Sequence, residues 1–333
     1  MRVRKRLFAA LMVAPLALVG CTSDSNGGNS SSDSTKAASA GSGGSGTYGY
    51  NFAVVTHGAA GDTFWDVVKK GSEQAGKDEG VKVKYQSDGD PAKQSQLIDA
   101  AVNQKVDGIV VSMANPDALK ASIEKAVAAD IPVITINSGQ DKSAEFGALA
   151  HVGQDETIAG EGAGEKLKEA GVTHLMCVIQ EAGNVGLEQR CAGAKSTLGG
   201  KVDNVQVQNS DPAGAQATIK AKLQQDTSID GVLTLGPVIG SAAIKALSDA
   251  GSDAKIATFD LNADVTKAIA DGKMLFAVDQ QQYVQGYLPI VMLTLYKANL
   301  NTIGGGHPVL TGPGFVTKDN AAKVQDLAKA GTR

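Results

Sequence analysis

"DGIVVSMANPDALKASIEKAVAADIPVITIN", residues 107–137, holds a complete strand-helix-strand unit, and "DGVLTLGPVIGSAAIKALSDAGSDAKIATFD", residues 230–260, repeats its layout. In both, Asp-Gly opens an apolar strand, a helical stretch follows that ends in small residues, and a second strand closes on a polar side chain 30 residues after the opening aspartate. One βαβ unit has been used twice.

Outward from these two units the same alternation covers most of the chain. Strands are expected at 51–56 (NFAVVT), 81–86, 108–113, 132–137, 148–153, 174–180, 202–208, 231–236, 255–260 and 274–279, with helical patterns of 10 to 18 residues between most of them. Alternating strands and helices mean parallel sheets covered on both faces. Ten strands suit two sheets of about five better than one, so the expected fold class is α/β with two doubly wound parallel-sheet lobes.

Ligands of such sheets bind beyond the carboxyl ends of the strands. Thr56, Asn115, Asn137, Gly236, Asp260 and Gln280 all fall at or just past an expected strand end, and two sheets facing each other there would bring them to one cleft. The stretch "HGAAGDTFWDVVKKG", 57–71, starts just past the first strand and places Phe64 beside the chain's only tryptophan, Trp65. Consecutive helical positions lie about 100° apart, so both rings cannot share one buried stripe, and at least one is expected to face the cleft.

The first residues read as an export signal: Arg2, Arg4, Lys5 and Arg6 precede an apolar run, Leu7 to Val19, too short to span a bilayer. "LVGC", ending at Cys21, resembles the lipobox of bacterial lipoproteins, in which the cysteine becomes N-terminal and carries a diacylglycerol; an ordinary secretory signal is the alternative. Residues 1–20 are therefore expected to be a signal peptide and 21–47, nearly all Ser, Gly, Thr, Ala, Asn and Asp, a disordered tether to the membrane. Removing the four basic residues of the signal from 31 Lys+Arg leaves 27 against 35 acidic residues, a balance near -8 that argues against nucleic acid as a partner. Cys177 and Cys191 remain after Cys21; outside the cytosol they are expected to pair, two buried free thiols being the alternative.

Enzyme signatures are missing. "HGAAGD" lacks the G-x-G-x-x-G spacing, "GEGAG" (160–164) lies inside a helical stretch, and there is no G-x-S-x-G. His57, His151, His174 and His307 show no metal-ligand spacing, so neither metal nor cofactor is expected, and His57 and Asp279 are noted only as neighbours of cleft residues.

From about Tyr48 to Thr317 the chain resembles the ribose-binding protein family of type I periplasmic binding proteins, the sugar receptors of ABC importers. The stretches that carry it are "AVVTHGAAGDTFWDVVKKG", "DGIVVSMANPDAL", "IPVITIN", "GLEQRCAG", "IATFD" and "AVDQQQYVQGY". The resemblance implies two lobes joined by a three-segment hinge, residues 48–153 with 281–312 in the first and 154–280 with 313–333 in the second. It implies that Phe64 and Trp65 stack on a sugar ring. Thr56, Asp62, Asn115, Asn137, Gln154, Arg190, Asp260 and Gln280 match polar residues of the site. Gly236 stands where the ribose receptors carry asparagine and Asn137-Ser138 replaces an Asp-Arg pair, which breaks the ribose pattern.

The residue types suit the chemistry. A sugar is a ring of C–H bonds edged by hydroxyls, so it calls for flat apolar faces and for amides and carboxylates. Arg190 lies far in sequence from every other arginine, and its planar fork can bond two adjacent hydroxyls; alternatively it is a surface arginine paired with Glu188 or Glu181. The expected function is capture of a small neutral sugar or polyol by a monomeric, lipid-anchored protein that delivers it to a membrane permease. A nucleoside or furanosyl-signal receptor of the same fold, and a sensor subunit for a membrane receptor, are the alternatives.

Overall fold

The computed structural model describes residues 48–59 and 61–333; the stretch expected to be signal peptide and tether, with Cys21, lies outside the described residues. The chain runs β1 (Asn51–Thr56), α1 (Thr63–Asp78), β2 (Lys82–Ser87), α2 (Pro91–Asn103), β3 (Gly108–Ser112), α3 (Pro116–Ala128), β4 (Val133–Ile136), α4 (Gln140–Ser143) and β5 (Ala150–Gln154). It continues through α5 (Glu156–Glu169), β6 (His174–Ile179), α6 (Val185–Leu198), β7 (Lys201–Gln206), α7 (Pro212–Gln225), β8 (Gly231–Thr234), α8 (Pro237–Ala250), β9 (Lys255–Phe259), α9 (Ala263–Ala270) and β10 (Phe276–Asp279). Last come α10 (Gln282–Asn299), β11 (Val309–Gly312), β12 (Gly314–Thr317) and α11 (Ala321–Ala330).

Two six-stranded sheets result, ordered β11-β5-β4-β3-β1-β2 and β12-β10-β9-β8-β6-β7. All pairs are parallel except β10 with β12. The chain passes between the sheets at three places: after β5, after β10, and between β11 and β12. All ten expected strands are present with ends shifted by a few residues; β11 and β12 were not anticipated, because "VLTGPGFVT" splits at Gly-Pro-Gly into two short pieces that join different sheets.

Strand alternation decides which helices cover which face. Ala53, Val55, Ile109, Val111 and Val133 point to one side of the first sheet, against Ile98, Leu119 and Ile123 of α2 and α3. Phe52, Val54, Val110, Ile134 and Val152 point to the other, against Val68 of α1 and Ile290 and Leu293 of α10. The second sheet divides in the same way, with Leu175, Cys177, Leu233 and Phe259 facing α5 and α6, and Met176, Val178, Val232 and Ile256 facing the α7–α9 side. Burying each such side chain contributes roughly 1.5–3 kcal/mol, which is why both faces of both sheets must be covered.

The two helix pairs nearest the hinge pack through glycine. A Cβ on Gly71 of α1 would collide with the carbonyl of Tyr283, and one on Gly286 of α10 with that of Val68. Gly160 of "GEGAG" meets the backbone of Arg190 in the same way, and Gly193 meets that of Thr157. Gly160 and Gly164 of that motif bring α6 close to α5, and so position Arg190.

Candidate ligand-binding site

On the first lobe the site begins where β1 ends. Asp62 caps α1, its Oδ1 accepting from the Phe64 amide at 3.0 Å. The Phe64 and Trp65 rings meet edge to face, with centroids 4.9 Å apart, and the His57 ring stands edge-on to Trp65 at 4.7 Å. Both aromatic residues line the space between the lobes, yet both are buried, at 6% and 5% exposure, and they join the first-lobe core. Both rings face the cleft, as expected of at least one, but the expectation that they cannot share one buried face is corrected, since the two lie in a single buried cluster.

On the second lobe Arg190 of α6 is held by Glu156 of α5, Nε to Oε2 at 2.6 Å and Nη2 to Oε1 at 2.9 Å. Its Nη1 donates to the Leu235 carbonyl at 3.1 Å and lies 3.8 Å from Asp260 Oδ2, and the guanidinium sits 4.5 Å over the Phe259 ring. Neither Glu188 nor Glu181 is its ion-pair partner. A disulfide joins Cys177 of β6 to Cys191, the residue after Arg190, with Cα atoms 5.9 Å apart.

The repeated βαβ units end in matching fashion. Asn137 and Asp260 close them in left-handed backbone, at φ 61° and 65°, a conformation uncommon outside glycine and concentrated at functional sites. Gln280 joins the pair across the hinge. Its Nε2 donates to both Asp260 oxygens, at 2.9 and 3.0 Å, and its Oε1 accepts from Asn137 Nδ2 at 3.1 Å.

The lobes touch directly. Asn209 Nδ2 donates to Asp62 Oδ2 at 2.8 Å, Ser138 Oγ to Asn184 Oδ1 at 3.1 Å, and the Val185 amide to the Ala114 carbonyl at 3.1 Å. These bonds close the cleft over a cavity of only ≈ 30 Å³, far below the ~300–1,000 Å³ typical of small-molecule sites, so the lobes must part to admit a ligand. A wider chamber of ≈ 420 Å³, lined by Pro91, Asn115, Gln206, Gln208 and Ser210, shares a wall with it.

The inner space is lined by Asp62, Phe64, Trp65, Asn137, Arg190, Gly236, Asp260 and Gln280 of the sequence candidates. Three candidates lie elsewhere. Thr56 points back into its own lobe, its Oγ1 bonded to Tyr85 Oη at 2.7 Å and Ser87 Oγ at 2.9 Å. Asn115 caps α3, accepting from the Ala118 amide at 3.3 Å, and faces the outer chamber. Gln154 is buried at the hinge and holds Glu156 Oε2 at 2.8 Å, which sets the carboxylate that orients Arg190.

Sequence reasoning overlooked Gln180, Glu181, Asn184 and Asn209, which also line the site, and noted His57 only as a neighbour. Gln180 and Glu181 follow β6 directly, so the strand-end rule, applied to that strand as to the others, would have found them.

Burial sets the protonation of the site. It pushes the Asp260 carboxyl up to about 8, although Arg190 opposes the shift. It pushes Asp62 up to about 7, with Glu181 adding to the shift, and raises Glu181 itself. Burial, with Arg190 adding, pushes His57 down to about 3, so the imidazole is neutral and accepts from Ser112 Oγ or donates to it at 2.7 Å. The lining therefore offers neutral amides, one neutral imidazole, carboxyls that gain by holding protons or donors, and a single fixed cation. Among the described residues the one cluster of metal-ligand type is His174, Asp203 and Asp226, where Lys201 Nζ already sits 2.8 Å from Asp203.

A cleft between two doubly wound lobes, walled by rings from one and by a buried guanidinium and carboxyls from the other, is the mark of a two-lobed solute receptor. The chain belongs to the periplasmic binding protein domain family, whose profile matches residues 52–299. It is similar to a carbohydrate transporter from Acidothermus cellulolyticus 11B, whose crystal structure is in complex with myo-inositol: 48% identity, a TM-score of 0.84, and coverage of 86% of this chain and 100% of that one. It is 29% identical over 234 residues to the ribose import binding protein RbsB of Bacillus subtilis, covering 68% of this chain and 74% of that protein. It is also 25% identical over 243 residues to the xylose/arabinose-binding protein XylF of Sulfolobus acidocaldarius, covering 67% of this chain but 60% of that longer protein.

Proposed function

We infer that the chain is the extracytoplasmic receptor of an ABC importer, and that it captures one neutral cyclic polyol, a sugar or cyclitol, between its closing lobes. The observation that carries this reading is the joint lining of the inner space: Phe64 and Trp65 from the first lobe, Arg190 and Asp260 from the second, and Gln280 between them. Rings suit the C–H faces of such a ligand, and the amides and carboxyls suit its hydroxyl rim, where each buried hydroxyl needs a partner. The myo-inositol bound by the Acidothermus relative puts a cyclitol first among the probes, and the named ligands of the ribose and xylose/arabinose relatives put pentoses next.

Because both lobes contribute contacts, the ligand favours the closed arrangement by its differential affinity, and a membrane permease would read that arrangement. Anchoring through a diacylated Cys21, action as a monomer and the absence of any chemical step belong to the same proposal. Isothermal titration against myo-inositol, scyllo-inositol, D-ribose, D-xylose and D-arabinose tests the ligand class; a flat response to all of them removes the reading. Cys21→Ser should move the protein from the membrane fraction to the medium or periplasm, and retention on the membrane would remove the anchor alone.

A further inference from the structure

Gln180, the residue after β6, differs from the other amides of the inner space. The side chains of Asn137, Asn184, Asn209 and Gln280 are all tied into hydrogen bonds within the chain. Gln180 is 8% exposed and lines both the inner space and the outer chamber, and its buried Oε1 has no partner. Its backbone carbonyl accepts from the Asn209 amide at 3.1 Å, which leaves the side chain free of that contact. A buried carboxamide brings two donors and an acceptor, and leaving such a group open costs about 1–3 kcal/mol.

The residue facing it supplies the second observation. A Cβ on Gly236 would lie 2.7 Å from Gln180 Nε2. At φ -163°, ψ 155° the Gly236 backbone is extended, and any residue adopts it. Glycine is therefore not required there by conformation; what it provides is the room that the Gln180 carboxamide fills.

We propose that Gln180 is a specificity-determining residue of this site, its Oε1 accepting from one ligand hydroxyl and its Nε2 donating to the neighbouring one, with Gly236 left bare to seat it. The inference rests on the polyol-receptor reading and adds the group that discriminates among polyols. A vicinal diol satisfies both ends of the amide at once. An analogue lacking one of those hydroxyls leaves a buried polar group unpaired, which is the strongest means a site has of rejecting a near-isostere.

The test is a cycle of titrations with myo-inositol and its monodeoxy analogues on the wild-type protein, Gln180→Met and Gly236→Ala. Methionine keeps the length of the side chain and removes both polar ends, and thermal unfolding of each variant checks that it folds. Gln180→Met should bind myo-inositol roughly tenfold more weakly. At least one monodeoxy analogue that the wild type penalises should bind the variant as well as myo-inositol does. Gly236→Ala, by displacing the amide, should shift in the same direction with a smaller loss. Equal affinity of Gln180→Met and wild type, or a loss that leaves every deoxy penalty in place, overturns the proposal. A wild-type protein that binds none of these compounds overturns the polyol-receptor reading itself, and this inference with it.

Discussion

The two lobes share a backbone plan and differ in the chemistry placed on it. Their sheets have the same strand order, and their repeated units both start with an aspartate that caps a neighbouring strand. Asp107 Oδ2 holds the Asn51 amide at 2.8 Å, and Asp230 Oδ1 the His174 amide at 2.8 Å. Both units end in a left-handed residue at the cleft, but one end is a neutral amide, Asn137, and the other a carboxyl, Asp260, beside a buried guanidinium. The first lobe supplies surface, the Phe64 and Trp65 rings, and the second supplies charge. On the proposed reading, a duplicated scaffold fixes where a ligand sits, and single side chains at equivalent positions decide what each half offers it.

If charge in the second lobe is structural as well as functional, removing it should hurt most. Arg190→Ala leaves Glu156 and Asp260 buried without their cation and should destabilise the protein by about 3–5 kcal/mol, read as a fall in the urea midpoint. A variant that loses binding at unchanged midpoint would show the guanidinium to be a ligand contact and nothing more. Next in size is the covalent staple, which only the second lobe has: Cys177→Ser with Cys191→Ser opens a loop of sequence separation 14, a loss of about 3 kcal/mol. Thiol titration of the unfolded wild type, with and without reductant, checks that the bond is the origin.

A smaller effect separates Asp62 from Asp260. Their folded values, about 7 and about 8, exceed the ordinary 3.8, so the folded ligand-free protein holds protons that the unfolded chain has released. The stability they confer is complete below pH 3.8 and is lost as pH rises through 7 and 8. His57 and His151, depressed to about 3 and 4, act in the opposite sense but only below their ordinary 6.5. Between pH 6.5 and 8 the melting temperature should therefore fall, the unfolding free energy dropping by up to about 1.4 kcal/mol per pH unit for each carboxyl. Asp62→Asn should flatten the slope only up to about pH 7, and Asp260→Asn, which faces Arg190, Glu156 and Asp279, should flatten it up to about pH 8. A melting temperature that rises across this window would refute the assignment.

The sheets were legible because apolar runs of strand length recur between helical patterns, and the strand-end rule then located Asn137, Gly236, Asp260 and Gln280 at the cleft. The rule failed at Thr56, since position along a strand does not say which way the last side chain turns; this one turns toward β2. The partner of Arg190 was hidden for another reason. Glu156 lies 34 residues away, and only the glycine contact between α5 and α6 brings it near. The free carboxamide of Gln180 was likewise invisible, because an unmade hydrogen bond has no sequence pattern.

The finest comparison concerns two helix starts. Asn115 and Gly236 each precede a proline at the head of a helix, α3 in the first lobe and α8 in the second, but only Asn115 caps its helix with a side chain. Asn115→Gly should cost a few tenths of a kcal/mol, because glycine is a tolerable cap. It should leave affinity for the inner space unchanged, since Asn115 borders only the outer chamber. The reciprocal change, Gly236→Asn, can gain a cap and a few tenths in stability. Yet its side chain enters the room occupied by Gln180, so affinity should drop while the melting temperature holds or rises. Opposite movement of stability and binding in the second lobe, with neither moving appreciably in the first, would place selection for ligand over selection for stability at Gly236. Parallel movement in both lobes would make the two helix starts equivalent and leave the bare glycine without a role.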